Sequence, residues 1–192
     1  MPILFEFRTE ARPDNGLIEV YDSDAYLTNS EAVRQSWDTV VASTGTQIYL
    51  RSLQSIAPAE ILVRVWDGPA PADSTWIAEG ERSTVLDSPT GEVVIRAFAP
   101  DIAGHFQLPR PGIYEGRVSW KGRHEAAAQE AALHAELGTA KPPSQADTDT
   151  IWAAHREVLE TYRIDLWWTS EDDEDEDWCR SRQRSPRPDA PS

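Results

Sequence analysis

The chain of 192 residues has little cysteine and no long apolar run. Its one cysteine, Cys179, cannot form a disulfide within the chain, and this favours a reducing compartment. The N-terminus lacks a basic region followed by a long apolar region, so it does not resemble a signal peptide. No apolar stretch approaches the ~18 residues of a membrane span. We therefore expect a cytoplasmic protein without a membrane partner.

The motifs that catalysis and metal binding usually require are also missing. There is no Gly-x-Ser-x-Gly nucleophile elbow and no glycine-rich phosphate loop with its lysine. The four histidines form no His-Glu-x-x-His motif, and we interpret Glu130 and His134, one helical turn apart, as a surface pair. Paired carboxylates for glycoside hydrolysis stay open, because they meet in space and not in sequence. The sequence thus predicts no catalytic residue, no metal and no cofactor.

Acidic residues are what the chain has in excess. It contains 33 Asp and Glu against 18 Lys and Arg, a net charge of −15. Seven acids form one run at residues 171–177, yet the chain up to Ser170 still carries 14 basic and 25 acidic residues, a net charge of −11. Such a field repels nucleic acid and attracts basic proteins. We expect a basic protein as partner and no nucleic acid, with solubility as the alternative explanation of the charge.

Strand patterns dominate the first two thirds of the chain. Short apolar or alternating runs, separated by turns rich in Pro and Gly, occupy residues 3–7, 17–21, 47–51, 61–66, 93–98, 114–120 and 162–168. Asn15-Gly16 lies between the first two runs and predicts a hairpin. No strand–helix–strand rhythm is present, which argues against a doubly wound nucleotide-binding fold. The pattern predicts a mainly β protein, an antiparallel β-sandwich of about seven or eight strands.

The predicted core consists of apolar residues on the inward faces of these strands: Ile18, Val20, Ile48, Leu50, Val63, Val65, Ile95, Tyr114, Val118, Ile164 and Leu166. Three helices are expected. Residues 30–42 should form a short helix capped by Ser30, with Val33 and Trp37 on its apolar side. Residues 125–137, ended by Gly138, should form a peripheral helix, and residues 147–160 a further one.

The expected organisation is one domain over residues 1–169, with a helical insertion at about 124–160. Residues 170–192 should be disordered, because an acidic run followed by Arg, Pro and Ser cannot bury enough apolar surface to become ordered.

Three local patterns carry a family resemblance. They are Phe106-Gln107-Leu108-Pro109, Gly112-Ile113-Tyr114-Glu115 and a closing strand with Thr161-Tyr162-Arg163-Ile164-Asp165. In this order, within the region from Leu4 to Trp168, they resemble the DNA-entry nuclease inhibitor family, also called the competence protein J family. The resemblance implies a small, acidic, β-rich cytosolic protein that binds and inhibits a nuclease and has no catalytic residues. The chain departs from the pattern through the inserted residues 124–159 and the C-terminal tail.

The candidate partner-binding residues are acids at turns or solvent-facing positions, and one tryptophan. They are Asp22, Asp24, Glu79, Glu81, Trp167, Glu171, Asp172 and Asp173. A rigid acidic surface can occupy the groove in which a nuclease grips phosphates, and electrostatic steering raises the association rate. Three functions stay open, in this order: an inhibitor or immunity-like protein of a basic partner such as a nuclease, a β-sandwich adaptor of another partner, and a small enzyme. The oligomeric state stays open as well.

Overall fold

The computed structural model describes residues 1–97, 102–138, 144–155 and 157–171. Within them the chain forms ten strands: β1 (Ile3–Ala11), β2 (Leu17–Asp22), β3 (Val41–Ser43), β4 (Gln47–Arg51), β5 (Ala59–Trp66), β6 (Gly80–Ser88), β7 (Glu92–Arg96), β8 (Ile102–Gln107), β9 (Gly112–Lys121) and β10 (Thr161–Ser170). The helices are α1 (Ser30–Thr39), α2 (Arg123–Leu137) and α3 (Gln145–Ala154). The predicted mainly β class is confirmed.

The strands form two five-stranded sheets. Sheet A has the order β1-β5-β10-β9-β6, and sheet B has the order β3-β4-β2-β7-β8. All pairings are antiparallel except that of β10 with β5, which is parallel. The prediction of a purely antiparallel fold was therefore wrong at this pair. Parallel neighbours need a long connection, and β5 and β10 are separated by residues 67–160.

The main apolar cluster contains residues of both sheets. Ile18 and Val20 of sheet B belong to the same apolar cluster as Val63 and Ile164 of sheet A. Every residue of the predicted core is buried. On β9 and β10 the alternation of apolar and polar residues made Tyr114, Val118, Ile164 and Leu166 predictable, since successive side chains of a strand point to opposite faces.

The first two strands do not form the predicted hairpin. Asn15 and Gly16 do form a tight turn with positive φ, closed by hydrogen bonds between Asp14 and Leu17. The strands then separate, because β1 pairs with β5 in sheet A and β2 pairs with β4 and β7 in sheet B. Pro13 lies directly before the turn and has no N–H with which to continue a ladder.

Helix α1 differs from its prediction at both ends. Its N-cap is Asn29, whose side chain accepts hydrogen bonds from the N–H groups of Glu31 and Ala32, and not Ser30. The helix ends at Thr39, and residues 41–43 form strand β3 instead. Trp37, predicted on the packed side, is 66% exposed.

The inserted region contains two helices, as predicted. Helix α2 begins two residues earlier than expected and buries Arg123, Ala126 and Leu133. Helix α3 begins with a capping box between Ser144 and Asp147 and ends at Ala154, so the predicted helix over 147–160 was wrong beyond that residue. No helix among the described residues is long and apolar enough to cross a membrane. Ser170 is the last residue of β10, and the predicted disordered tail beyond Glu171 lies outside the described residues.

Candidate partner-binding surface

The side of sheet A that faces away from the core, called here the outer face of sheet A, carries Glu81 and Trp167 in separate rows, and Glu79 lies next to it. Its side chains lie in rows, because paired residues of neighbouring strands project to the same side. Glu81 is opposite Ser119 of β9, and Trp167 lies between Trp66 of β5 and Glu115 of β9. Glu79 directly precedes β6, and its Oε1 accepts a hydrogen bond from Gly122 N at 2.7 Å.

One row of this face is largely apolar. It runs across the five strands through Ile3, Trp66, Trp167, Glu115 and Val85. Ile3 and Val85 are exposed, whereas Trp66 is buried and Trp167 is half-buried. Trp167 is thus less accessible than the sequence suggested.

The next row contains a buried ionic network. The carboxylate of Asp165 is fully buried, and its Oδ1 accepts hydrogen bonds from Arg64 Nε at 2.7 Å and from Trp66 Nε1 at 2.8 Å. Its Oδ2 lies 3.1 Å from Arg163 Nε. Two guanidinium groups therefore compensate a single buried carboxylate, which is the condition for tolerating such a charge inside a protein.

The segment between β5 and β6, residues 67–79, crosses this network. Asp73 accepts a hydrogen bond from Arg163 Nη1 at 2.8 Å, and so supplies the second negative charge. Hydrogen bonds from the hydroxyl and the N–H of Thr75, followed by the contact with Arg163, lower the pKa of Asp73 to about 2. Asp73 is therefore ionised throughout the physiological range and ties the segment to β10.

Aromatic contacts hold the same segment in place. The indole of Trp76 lies 4.2 Å from Lys121 Nζ and 4.6 Å from the guanidinium carbon of Arg163. Arg117 Nη2 donates to the carbonyl of Pro71 at 2.8 Å. Three cations of the outer face thus make contacts within the protein, while the carboxylates of Glu79, Glu81 and Glu115 lie at exposed positions.

Sequence reasoning missed Asp73, Arg163 and Asp165. The alternation in β10 placed Arg163 and Asp165 on its solvent side, where charged residues need no explanation. Their burial comes from residues 67–79, which lie over them. This segment contains prolines and has no strand or helix pattern, so its position could not be predicted from hydrophobic periodicity. The signal that could have indicated a buried ion pair was the alternation of Arg163 and Asp165 directly before Trp167 and Trp168.

Asp22 does not belong to an accessible surface. Its carboxylate is fully buried at the end of β2 and accepts hydrogen bonds from the hydroxyls of Ser88 and Thr90 and from the N–H groups of Thr90 and Asp24. It connects sheet B with the end of β6 and with the turn that leads into β7. Asp22 thus supports the turn, as carboxylates in turns often do by bonding the backbone nearby.

The remaining predicted acids divide into two groups. Asp24 is exposed in the turn after β2, on a different sheet from Glu79 and Glu81. Glu171 is exposed directly after β10, whereas Asp172 and Asp173 lie outside the described residues. The structure therefore groups Glu79, Glu81 and Trp167 on one side, and places Asp24 elsewhere.

A second buried polar cluster lies where α2 meets the start of β10. Glu160 is fully buried and accepts hydrogen bonds from Ser52 Oγ at 2.6 Å and from Gln54 Nε2 at 3.4 Å. Burial raises the pKa of Glu160, against the opposing effect of these hydrogen bonds and of Arg123. The Tyr162 hydroxyl lies 2.7 Å from both Glu160 Oε1 and the Arg51 carbonyl.

This cluster lies inside the protein, where the side chains of Glu160 and Tyr162 are fully buried. A cavity of about 480 Å³ near α3 is lined by Glu10, Arg12, Ile56, Ala57, Pro58, Asp149, Trp152 and His155, and Glu160 is not among these residues. We therefore assign Glu160 to the support of the fold.

Two of the four histidines lie beside a glutamate. His155 Nε2 lies 3.2 Å from Glu136, and His105 Nε2 lies 3.8 Å from Glu92. Glu130, considered above with His134, accepts a hydrogen bond from Ser55 N at 3.0 Å. Within the part of the chain that the structure describes, no three His, Cys, Asp or Glu side chains are placed to hold a metal ion.

Comparison with known proteins gives similarity of fold. No family model and no curated protein sequence matches the chain. A structure described as crocagin biosynthetic gene J has a TM-score of 0.49 at 17% identity, over 88% of this chain and 100% of that chain. The crystal structure of ComJ, inhibitor of the DNA-degrading activity of NucA, from Bacillus subtilis, has a TM-score of 0.52 at 14% identity, over 88% of this chain and 98% of that chain. The resemblance to the nuclease inhibitor family is thereby confirmed at the level of the fold.

Proposed function

We propose that this chain is a non-catalytic, acidic binding protein that inhibits a basic partner such as a nuclease. The observation that carries the proposal is the shared fold with ComJ over nearly all of that inhibitor. The net charge of −11 up to Ser170 adds to it, because the body of the chain attracts a basic partner without help from the tail. In this proposal the two sheets pack as a sandwich, which serves as the scaffold, and the protein acts in the cytoplasm.

The mechanism is competition with nucleic acid for a basic groove. A nuclease holds phosphates with Lys and Arg, and exposed carboxylates on a rigid sheet can occupy the same positions. Glu79 and Glu81 are the best placed of the described candidates, because both are exposed, while Arg163 and Arg117 make contacts with Asp73 and Pro71 of the segment 67–79. Asp24 lies apart from them, and Glu171, with Asp172 and Asp173, would extend the field from the end of β10.

An adaptor for a partner of other chemistry is the second candidate function. The apolar row of the outer face favours it, because exposed Ile3 and Val85 flank the tryptophans of β5 and β10. Such a row can contact an apolar partner without any charge complementarity.

Affinity capture from the native host at low salt tests the inhibitor proposal. We expect the full-length chain to recover a basic protein that degrades DNA, and addition of the purified chain to stop that degradation at equimolar amounts. The variant Glu79→Lys with Glu81→Lys should inhibit poorly, while Glu31→Lys with Asp38→Lys, at two exposed positions of helix α1, is a control with the same change of charge. Recovery of a basic protein whose activity is unchanged would support the adaptor, and recovery of no basic protein would contradict the proposal.

A further inference from the structure

Strand β6 is an edge strand whose outward side is closed over part of its length. It pairs with β9 on one side and ends the order of sheet A. On the other side, Ser43 Oγ donates to Val85 O at 2.8 Å, and Asp87 N donates to Gly45 O at 2.7 Å. The turn between β3 and β4 therefore covers the end of β6 that contains Val85 and Asp87.

The rest of this edge is open. In a strand, alternate residues direct both N–H and C=O to the same side. Because Val85 and Asp87 direct these groups away from β9, Glu81 and Ser83 must do the same. No strand among the described residues pairs with them on that side, and both residues are exposed. Two N–H and two C=O groups are thus available to an additional strand.

A groove lies beside the open edge. It has a volume of about 370 Å³ and is lined by Gln35, Ala42, Ser43, Gly45, Arg82, Ser83, Thr84 and Val85. The hydroxyl of Thr84 is buried and has no hydrogen-bond partner among the described residues. Buried hydroxyls are normally satisfied, so this one indicates that the groove receives a polar group.

We infer that the edge from Glu81 to Thr84 receives an extended segment of a basic partner protein, which adds to sheet A as a strand beside β6. This inference rests on the proposed function and names the docking site. Backbone hydrogen bonds to Glu81 and Ser83 give the segment its affinity. A Lys or Arg on its outward face meets Glu81, and the alternate side chains enter the groove beside Arg82 and Thr84.

Charge argues against a second copy of this chain as the occupant. An antiparallel pair of β6 strands that used both Glu81 and Ser83 would place Arg82 opposite Arg82. A parallel pair in register would place Glu81 beside Glu81. Like charges directly opposite each other destabilise a pair of strands. A basic segment brings complementary charge to Glu81 instead.

Amide hydrogen exchange, measured by NMR on the full chain, tests the site. The probe is a decapeptide that alternates lysine and threonine, and its control carries the same charge but has N-methyl groups on alternate amides. In the free chain we expect the amides of Glu81 and Ser83 to exchange fast, while those of Arg82 and Thr84 are protected by β9. The probe should slow exchange at Glu81 and Ser83 by about tenfold or more, and the N-methylated peptide should not.

Two variants separate docking from folding. Ser83→Pro removes an outward N–H, a change that edge strands tolerate, and should abolish the protection at Glu81, while Ser83→Ala should retain it. Unchanged exchange with the probe in the wild-type chain would overturn the inference, as would protection that depends on protein concentration or disappears on deletion of residues 171–192. If a captured basic partner binds Ser83→Pro and wild type equally, the docking site is wrong and the proposed function stands.

Discussion

At the scale of single residues, the carboxylate of Asp165 organises the outer face of sheet A. It is fully buried and accepts hydrogen bonds from Arg64 and Trp66, while Arg163 lies on its other side. Removing one partner of such a network leaves the others as uncompensated charges in a poorly hydrated environment, which costs more than the contact itself contributes.

Substitution of this carboxylate should therefore be severe. We expect Asp165→Asn, which keeps the shape and the acceptor for Trp66, to lower the free energy of unfolding by about 3 kcal/mol, because Arg64 and Arg163 lose their common counter-charge. Urea denaturation measures the change. The exposed Glu81→Gln should stay within about 0.5 kcal/mol of wild type. Equal stability of the two variants would show that Asp165 does not hold these arginines.

Glu160 should make stability depend on pH. The Tyr162 hydroxyl has one proton but lies within hydrogen-bond distance of two acceptors, Arg51 O and Glu160 Oε1. If Tyr162 donates to Arg51 O, its contact with Glu160 is a hydrogen bond only when Glu160 is protonated and donates. Burial accordingly raises the pKa of Glu160 above its ordinary value of 4.5. The folded state then holds a proton that the unfolded state has released, so this contribution is complete below pH 4.5 and is lost as pH rises through the folded pKa.

The variant Glu160→Gln isolates this effect, because glutamine keeps an acceptor for Ser52 and cannot ionise. We expect the difference in unfolding free energy between Glu160→Gln and wild type to shift in favour of the variant as pH rises above 4.5. Denaturant titrations at several pH values measure it. A difference that stays constant with pH would mean that Glu160 has the same pKa in the folded and unfolded states.

At the scale of elements, the sequence predicted strands best where one face is apolar. Strands β9 and β10 alternate cleanly, and their core residues were identified correctly. Strand β6 was missed, because Glu81-Arg82-Ser83-Thr84 lies at an edge with an inner face that is only partly covered. The sequence also did not predict that the chain passes from sheet A to sheet B between β1 and β2. Asn15-Gly16 specifies a turn but not which strands pair beyond it.

The sequence did not predict that residues 67–79 lie over the outer face of sheet A either. Residues 67–79 are held by Asp73 and by Trp76, whose indole contacts both Lys121 and Arg163. Trp76→Ala removes two cation–π contacts of about 0.5–1 kcal/mol each, together with buried apolar area. We expect faster amide exchange within residues 67–79 and little change in the core strands β4 and β5. Equal acceleration throughout the chain would indicate that the segment unfolds only with the whole protein.

At the scale of the whole molecule, the body and the tail should contribute separately. Up to Ser170 the chain carries −11 of its total charge of −15. Deletion of residues 171–192 should therefore leave the melting temperature nearly unchanged and slow association with a basic partner only modestly. Thermal unfolding and stopped-flow mixing measure the two quantities. A large loss of thermal stability would show that the tail packs against the body.

The dependence of the association rate on salt tests the central claim most directly. If the chain captures a basic partner through its negative field, steering acts before contact and is screened beyond ~10 Å at 0.1 M ionic strength. Stopped-flow mixing of the full chain with the captured partner should give an association rate constant that falls about tenfold or more from low to physiological salt, with a smaller change in dissociation. An association rate constant that is indifferent to salt would contradict the electrostatic account and point to the apolar row around Trp167.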